Sequence, residues 1–252
     1  MKYLILGASK GLGLCLSESL AKIGHNLVIL SRNLRDLEKI KSSLELKYKI
    51  SVDIYNLDLS NDIEEINKFF QNNHSNLKNI DGIFLTAATM DINDIVIDNT
   101  SIVRDLINSN LKSQIIFIYK FYEIFKVKKQ GLIVGFGSVA EMLGRSQNIL
   151  YSASKKFLKS FFESLIISTS NDNISVHFYI LGYLNTTLSS SKKLFLPRGN
   201  VQKLSKKIIE NINKKNIYTY FPSWWIVISY LFINTPFFIK RIIFNFFKNE
   251  KY

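Results

Sequence analysis

Short apolar runs alternate with longer amphipathic stretches over the first 221 residues of the chain. The runs have the length of strands buried on both faces of a sheet, and the stretches between them have the period of helices. The pattern predicts strands at Lys2–Leu6, Asn26–Leu30, Ser51–Asn56, Asp81–Leu85, Gly131–Gly137, Ser175–Leu181 and Ile217–Tyr220. It predicts helices from the glycine-rich turn to Ile23 and at Leu34–Lys47, Asn110–Lys126 and Val201–Asn213. Such alternation indicates an α/β domain, a parallel sheet with helices on both faces.

The composition fits one folded domain without disulfides. The chain has 252 residues, of which 47% are hydrophobic, enough for one sizeable core. The single cysteine, Cys15, excludes an internal disulfide and is expected to be a buried structural thiol. The three histidines are too scattered to predict a metal site. The amino terminus runs straight into a strand, without room for a signal-peptide core, so a cytoplasmic protein is expected.

The first strand leads into a glycine-rich turn, Gly7-Ala-Ser-Lys-Gly11-Leu-Gly13, and then into a helix. Glycines let the backbone approach a pyrophosphate, which then rests on the amino end of the helix. A tight turn without a ligand is the alternative. The candidate phosphate-binding residues are Gly7, Ser9, Lys10, Gly11, Leu12 and Gly13.

The residues after the next strands extend this candidate site. Arg32, after Ser31, stands where a cofactor with a ribose 2′-phosphate requires a cation, and Lys10 adds a second charge. This favours NADPH over NADH, with a solvated surface charge as the alternative for Arg32. Asp58 can bind the adenine amino group or cap the following helix, and Leu59 lies beside it. The small side chains of Ala87 and Ala88 let the backbone pass close to a nucleotide.

Tyr151 and Lys155 carry the candidate chemistry. Four residues apart in a helix, they lie one turn above each other on the same face. The ammonium favours the phenolate and so lowers the pKa of the tyrosine from about 10. Ser138 ends the strand upstream, at the edge of the sheet that the glycine-rich turn also occupies. Together the three side chains indicate carbonyl reduction or alcohol oxidation.

Residues 1–221 resemble the short-chain dehydrogenase/reductase family. The resemblance rests on Gly7-x-x-x-Gly11-x-Gly13, Asp58, Asn110, Ser138 and Tyr151-x-x-x-Lys155, in the family's order and spacing. It implies a Rossmann-type, doubly wound, seven-stranded parallel sheet and a nicotinamide cofactor, for which Arg32 and Lys10 favour NADP(H). It also implies a catalytic set of Asn110, Ser138, Tyr151 and Lys155, with Asn110 holding a water behind Lys155.

The chain departs from the family pattern at several cofactor loops. Leu6 replaces the usual threonine, and Thr86-Ala-Ala-Thr89 replaces Asn-Asn-Ala-Gly. Leu181-Gly182 replaces Pro-Gly, and Thr186 stands where a threonine helps to hold the nicotinamide. Gly182 and Thr186 are therefore the last two candidate cofactor residues.

A closer resemblance concerns the reductases that complete the epimerisation of decaprenylphosphoryl ribose. It rests on Gly144-Arg145-x-x-Asn148-x-x-Tyr151 and on the Phe221-Pro222, Pro236 and Lys240-Arg241 pattern. It implies a polyprenylphosphoryl 2-keto-pentose as substrate, in the assembly of cell-envelope polysaccharide, with a possible flavin-dependent oxidase as partner.

Residues 222–252 form a basic, aromatic tail. Residues 192–252 hold 12 Lys and Arg against two Glu, and 13 of the 33 aromatic residues lie between Ile217 and Tyr252. The run Trp224–Ile239 is ~24 Å long as a helix, too short for a ~30 Å hydrocarbon core, and Pro236 divides it. After Pro236, Ile239, Ile242, Ile243, Phe246 and Phe247 share one helix face, and Lys240, Arg241, Asn245 and Lys248 share the other.

The tail favours peripheral attachment to the cytoplasmic face of the membrane over nucleic acid. A dimer interface and a cap over an apolar substrate tunnel are the alternatives. The leading prediction is an NADPH-dependent reductase of a lipid-linked ketone, acting as a homo-oligomer. The alternatives are a reductase of a free lipid ketone (3-oxoacyl, 3-ketosphinganine or steroid) and a non-catalytic NADP-binding membrane adaptor.

Overall fold

Seven parallel strands form one sheet in a computed structural model that describes residues 1–90, 100–142, 148–185 and 197–242. The strands are β1 Lys2–Leu6, β2 Asn26–Ser31, β3 Val52–Asn56, β4 Gly82–Leu85, β5 Gly131–Ser138, β6 Ile174–Leu181 and β7 Ile217–Phe221. Their order is β3-β2-β1-β4-β5-β6-β7, which reverses between β1 and β4. This confirms the predicted α/β fold, and each observed strand lies within one residue of its predicted bounds.

Helices cover both faces of the sheet. They are α1 Gly11–Lys22, α2 Leu34–Tyr48, α3 Ile63–Leu77, α4 Thr100–Ile107, α5 Ser113–Lys128, α6 Ile149–Ser168, α7 Val201–Asn211 and α8 Trp225–Asn234. Leu4 and Leu6 of β1 pack with α3, α5 and α6, whereas Tyr3 and Ile5 pack with α1, α2 and α7. Because successive strand residues point to opposite faces, each strand contributes to two separate hydrophobic cores.

The helix predicted at Asn110–Lys126 begins earlier and is interrupted. It runs from Thr100 as α4, passes through a π-helical segment at Asn108–Lys112, and continues as α5 to Lys128. Asn108 and Ser109 are buried polar residues in this segment, and the Asn108 amide donates to the Ser60 carbonyl oxygen (2.9 Å). An apolar period cannot reveal a helix whose buried face is polar, which explains the wrong boundary.

Cys15 is half-buried and not fully buried as expected. It lies where α1 packs against α7, and its carbonyl oxygen accepts a hydrogen bond from Ser205 Oγ (3.3 Å). Burial still raises the pKa of the thiol. Cys15 therefore packs at the edge of a core.

The tail divides at Pro236, as predicted. α8 ends at Asn234, Thr235 is extended, and residues 237–242 are again helical. The second predicted helix face is described only as far as Ile242, so Ile243, Asn245, Phe246, Phe247 and Lys248 lie outside the described residues. Within the described ranges, every helix is too short or too polar to cross a bilayer.

Candidate active site

Two turns meet where the strand order reverses, between β1 and β4. Gly7, after β1, has a φ of +90°, and a Cβ on it would lie 2.7 Å from Ala87 Cα. A Cβ on Gly13 would lie 2.2 Å from the Gly7 carbonyl oxygen. The Thr86 hydroxyl donates to the Leu6 carbonyl oxygen (2.7 Å), so Thr86 ties the two strand ends together. The glycines are therefore required for backbone packing as well as for any phosphate.

The amino end of α1 fits an anion. α1 begins at Gly11, and the N-cap residue, Lys10, is extended and gives this end no side-chain hydrogen bond. The first N–H groups of a helix without a cap are donors for a phosphate, and the helix dipole favours negative charge there. Lys10 is exposed, and Ser9 and Leu12 are partly buried.

Arg32 lies at the same edge of the sheet, directly after β2. Its side chain is exposed, and the Asn56 amide donates to its carbonyl oxygen (3.4 Å). Ser31, the last residue of β2, pairs in register with Asn56 of β3. A guanidinium here can hold a 2′-phosphate in a bidentate manner. The residues at this edge thus fit a dinucleotide that carries a 2′-phosphate.

Asp58 follows β3 but does not cap α3. Its Oδ1 accepts hydrogen bonds from the Ser60 N–H (3.0 Å) and the Ser60 hydroxyl (2.8 Å), and α3 begins after Asp62. The capping alternative for Asp58 is therefore wrong. Contact with adenine stays a prediction. Leu59 and Ala87 pack against the core, and Ala88 is partly buried.

Ser138 lies on β5, and Tyr151 and Lys155 lie on α6, which packs against β5. Ser138 ends β5, and its Oγ accepts a hydrogen bond from the Ala140 N–H (3.1 Å). Tyr151 lies in the first turn of α6, and Lys155 follows one turn later with its Nζ 5.8 Å from the centre of the phenol ring. The predicted pair thus shares one helix face at the carboxyl end of β5.

Lys155 is held inside the protein. It is 4% exposed, and its Nζ donates to the Phe136 carbonyl oxygen of β5 (3.0 Å). Burial lowers the pKa of Lys155 to about 8, although the Glu141 carboxylate opposes the shift. An ammonium in a poorly hydrated place acts strongly on its neighbours, because little water screens its charge.

Asn110 lies in the π-helical segment and is fully buried. Its side-chain amide donates to the Thr89 carbonyl oxygen and accepts from the Thr89 N–H, both at 2.7 Å. The side chain therefore clamps the backbone after β4. Its implied role in holding a water behind Lys155 stays a prediction.

The lack of a side chain at Gly182 has a structural reason that the sequence did not reveal. A Cβ on Gly182 would lie 1.9 Å from the indole Nε1 of Trp225, the first residue of α8. Trp225 is 4% exposed, and its ring lies 4.7 Å from that of Trp224 and 6.0 Å from that of Tyr183. Trp225 thus packs the start of the tail against the segment that follows β6. Thr186, Gly144 and Arg145 lie outside the described residues, and the cofactor role of Gly182 stays a prediction.

Three polar residues near the site were missed, and two of them, Gln114 and Glu141, are buried. Gln114 donates from Nε2 to the Ala87 carbonyl oxygen (2.9 Å), which fixes the backbone after β4. Glu141 and Lys159 form an ion pair (3.3 Å) beside Ser138 and Lys155. The position of Lys159, four residues after Lys155, could have predicted that it shares the helix face of Lys155. The sequence gives no comparable indication for Glu141, which resembles an ordinary carboxylate of a connecting segment. Among the described residues, no group of His, Cys, Asp and Glu could hold a metal ion.

Comparison with known proteins identifies the family. Residues 2–195 match the family described as short chain dehydrogenase. The chain belongs to that family. A very-long-chain 3-oxoacyl-CoA reductase of Vanderwaltozyma polyspora is 26% identical over 84% of this chain and 63% of its own length. A 7beta-hydroxysteroid dehydrogenase of Mediterraneibacter gnavus is 27% identical over 78% of this chain and 72% of its own length.

A solved short-chain dehydrogenase from Sphingobium yanoikuyae, in complex with NADPH, has the same fold. It is 20% identical, with a TM-score of 0.77 over 88% of this chain and 87% of that chain. The chain spans about six-tenths of the length of the Vanderwaltozyma relative (63%). The matches support the short chain dehydrogenase family and not the closer resemblance to decaprenylphosphoryl keto-ribose reductases.

The packing of Trp225 on Gly182 predicts that substitutions at the two residues have non-additive effects on the free energy of unfolding. Gly182→Ala should lower the free energy of unfolding by about 1–3 kcal/mol, because the new methyl group overlaps the indole. In a Trp225→Ala background, the same change should cost far less, because the space is empty. Urea unfolding of the wild type, both single variants and the double variant measures this coupling. Additive costs would contradict the contact.

Proposed function

We propose that the chain is an NADPH-dependent reductase of a ketone carried on a lipid chain. The observation that carries the proposal is the burial of Lys155 one turn below Tyr151, at the carboxyl end of β5. A phenol beside a buried ammonium is a proton donor that works near neutral pH. Ligands of open α/β sheets bind outside this end of the strands, at the point where their order reverses.

The chemistry follows from the side chains at this edge. The chemistry that NADPH would supply when bound at this edge is a hydride for the carbonyl carbon. Tyr151 donates a proton to the carbonyl oxygen as the alcohol forms. Ser138 hydrogen-bonds that oxygen through its hydroxyl and so orients the ketone. Lys155 would hold the nicotinamide ribose and would stabilise the phenolate that Tyr151 becomes, while Arg32 and Lys10 would bind the 2′-phosphate.

A lipid ketone is favoured by the relatives and by the tail. The names of the two relatives above refer to a 3-oxoacyl-CoA, which is a ketone, and to a 7beta-hydroxysteroid, which is a secondary alcohol, both on apolar skeletons. α8 exposes apolar side chains while Trp225 pins it beside Gly182, next to the candidate site. We therefore favour a long-chain 3-oxoacyl thioester, one of the alternative substrates, over the polyprenylphosphoryl 2-keto-pentose. The flavin-dependent oxidase partner was predicted only in connection with the polyprenylphosphoryl 2-keto-pentose. Formation of a homo-oligomer stays a prediction.

A comparison of two ketones tests the activity. Oxidation of NADPH should follow addition of a long-chain 3-oxoacyl-CoA and exceed that with a polyprenylphosphoryl 2-keto-pentose. Tyr151→Phe should keep NADPH binding, seen by fluorescence titration, and lose about 10²-fold or more in kcat, because the proton donor is missing. Near-normal turnover in this variant refutes the assignment of Tyr151. Bound NADPH with no turnover of any ketone by the wild type would favour the non-catalytic adaptor.

We further propose that the tail attaches the enzyme to an anionic lipid surface. Large apolar side chains of α8 and of residues 237–242 are 37–76% exposed, and they are Ile226, Val227, Tyr230, Leu231, Ile233, Phe237, Phe238, Ile239 and Ile242. Lys240 and Arg241 accompany them, and the chain carries a net charge of +13. Apolar anchors beside cations match the boundary of an anionic bilayer better than another cationic copy of the chain.

Vesicle binding by the full chain tests this attachment. The wild type should sediment with vesicles of phosphatidylglycerol and phosphatidylcholine, and much less with phosphatidylcholine alone. The double variant Leu231→Asp/Phe238→Asp should stay in the supernatant, because it places charges on the exposed apolar face. The matched control is Ile167→Asp, which changes an aliphatic side chain of α6 that is 73% exposed.

Three outcomes would contradict the attachment. They are a wild type that stays soluble with every vesicle, a control that loses binding as fully as the double variant, and equal binding to neutral vesicles. If the double variant changes only the sedimentation coefficient of the free protein, the tail is a dimer interface.

A further inference from the structure

A buried carboxylate lies beneath the candidate active site. Glu141 belongs to the 3₁₀-helical segment Val139–Met142, three residues after Ser138, and its side chain is 2% exposed. Its Oε1 lies 3.3 Å from Lys159 Nζ, and its Oε2 lies 3.4 Å from where a Cβ on Gly137 would be. The carboxylate therefore packs directly against the last residues of β5.

Glu141 meets the helix face that carries the catalytic pair. Tyr151, Lys155 and Lys159 follow each other at intervals of four residues on α6, so their side chains share one face. Among the described residues, neither oxygen of Glu141 has a well-formed hydrogen bond, and the ion pair with Lys159 is its closest polar contact. A buried carboxylate held in this way is costly, so a functional reason for it is worth testing.

We propose that Glu141 is a positioning residue that keeps Lys155 protonated at and above neutral pH. Its consequence for turnover depends on the proposed reductase activity. Lys155 is buried, and its Nζ has the neutral Phe136 carbonyl oxygen as its hydrogen-bond acceptor. A neutral acceptor does not offset the loss of hydration as a nearby anion does.

The titration ranges of the two groups match this role. Burial raises the pKa of Glu141 to about 7, although Lys159 and Lys155 oppose the shift. Burial lowers the pKa of Lys155 to about 8, and the Glu141 carboxylate opposes that shift. Glu141 is thus ionised in the pH range where Lys155 would otherwise lose its proton. Removal of the carboxylate disfavours the ammonium and lowers the pKa of Lys155.

In the part of the chain that the structure describes, the other ionisable groups near Glu141 and Lys155 lie mainly on α6 and β7. From α6, Lys159 and Glu163 face Glu141, and from β7, Tyr218 and Tyr220 approach the same cluster. The Tyr218 hydroxyl donates to Glu163 Oε1 (2.6 Å).

The remaining elements that pack on this region add little charge. Trp225 and Ser229 of α8 are buried and uncharged. His177 of β6 is buried, which lowers its pKa, and Arg104 and Asp105 of α4 are 3.5 Å apart in an ion pair. Among the described residues, Glu141 is thus the carboxylate whose charge opposes the effect of burial on Lys155.

Titration of the lysine itself tests the proposal. In full-length protein with ¹⁵N-labelled lysine, NMR follows the Nζ signal of Lys155, assigned with Lys155→Met. Glu141→Gln should move the midpoint of Lys155 to lower pH by about one unit. The matched control, Glu163→Gln, should leave that midpoint in place, because Glu163 lies two turns further along α6, ~12 Å away. The alkaline limb of the kcat–pH profile should move with the Lys155 midpoint.

A second variant, Lys159→Met, tests the proposal if Glu141→Gln does not fold. Lys159→Met removes the partner of Glu141, so the carboxylate stays protonated to higher pH and the Lys155 midpoint should again fall. An unchanged midpoint in the folded variants, an equal shift in Glu163→Gln, or a kcat profile that does not follow the midpoint overturns the proposal. If the wild type reduces no ketone, the proposed function fails, while the NMR midpoints still decide the role of Glu141.

Discussion

The burial of one ammonium at the end of a parallel strand is the constraint on which the candidate site depends. Lys155 reaches the Phe136 carbonyl oxygen only because α6 packs close to β5. Gly135 permits that approach, since a Cβ on it would lie 2.1 Å from the Phe162 ring of α6. Gly135 therefore serves the candidate chemistry indirectly, by setting the distance between strand and helix.

Close contacts of backbone and buried side chains likewise connect the candidate cofactor edge, the helix face of Tyr151 and Lys155, and the tail. The Gly7–Ala87 contact brings the ends of β1 and β4 together, and Asn110 and Gln114 fix the backbone after β4 from the other side. Trp225 fills the space beside Gly182 and so joins α8 to the segment after β6. A reductase whose substrate arrives from a lipid surface needs such a rigid connection between its surface anchor and its site.

Local patterns predicted the sheet and the catalytic spacing. The strands are continuous apolar runs, and Tyr151 and Lys155 are one helical turn apart, so both follow from short-range periodicity. The partners of buried polar groups do not follow from it, because Asn110 meets Thr89 from 21 residues away and Trp225 meets Gly182 across two elements. The burial of Glu141 depends on α6, β5 and α8 together, and no local signal marks it.

The substrate was the least predictable feature for a related reason. The motif that suggested a keto-pentose includes Gly144 and Arg145, in the segment between β5 and α6, and connecting segments in general vary more in sequence than the elements they join. The residues to which we assign proton transfer lie instead on β5 and α6, where packing fixes them. Reaction class therefore followed from the chain more securely than substrate.

A crystal structure of the NADPH complex tests the central claim most directly. We expect the pyrophosphate at the amino end of α1, the 2′-phosphate on Arg32, and Lys155 Nζ within ~3 Å of the nicotinamide ribose hydroxyls. The Tyr151 hydroxyl should then face the side of the nicotinamide ring where a ketone can bind. A dinucleotide bound elsewhere, or one that leaves Lys155 and Tyr151 out of contact with it, would contradict the assignment of these residues to catalysis.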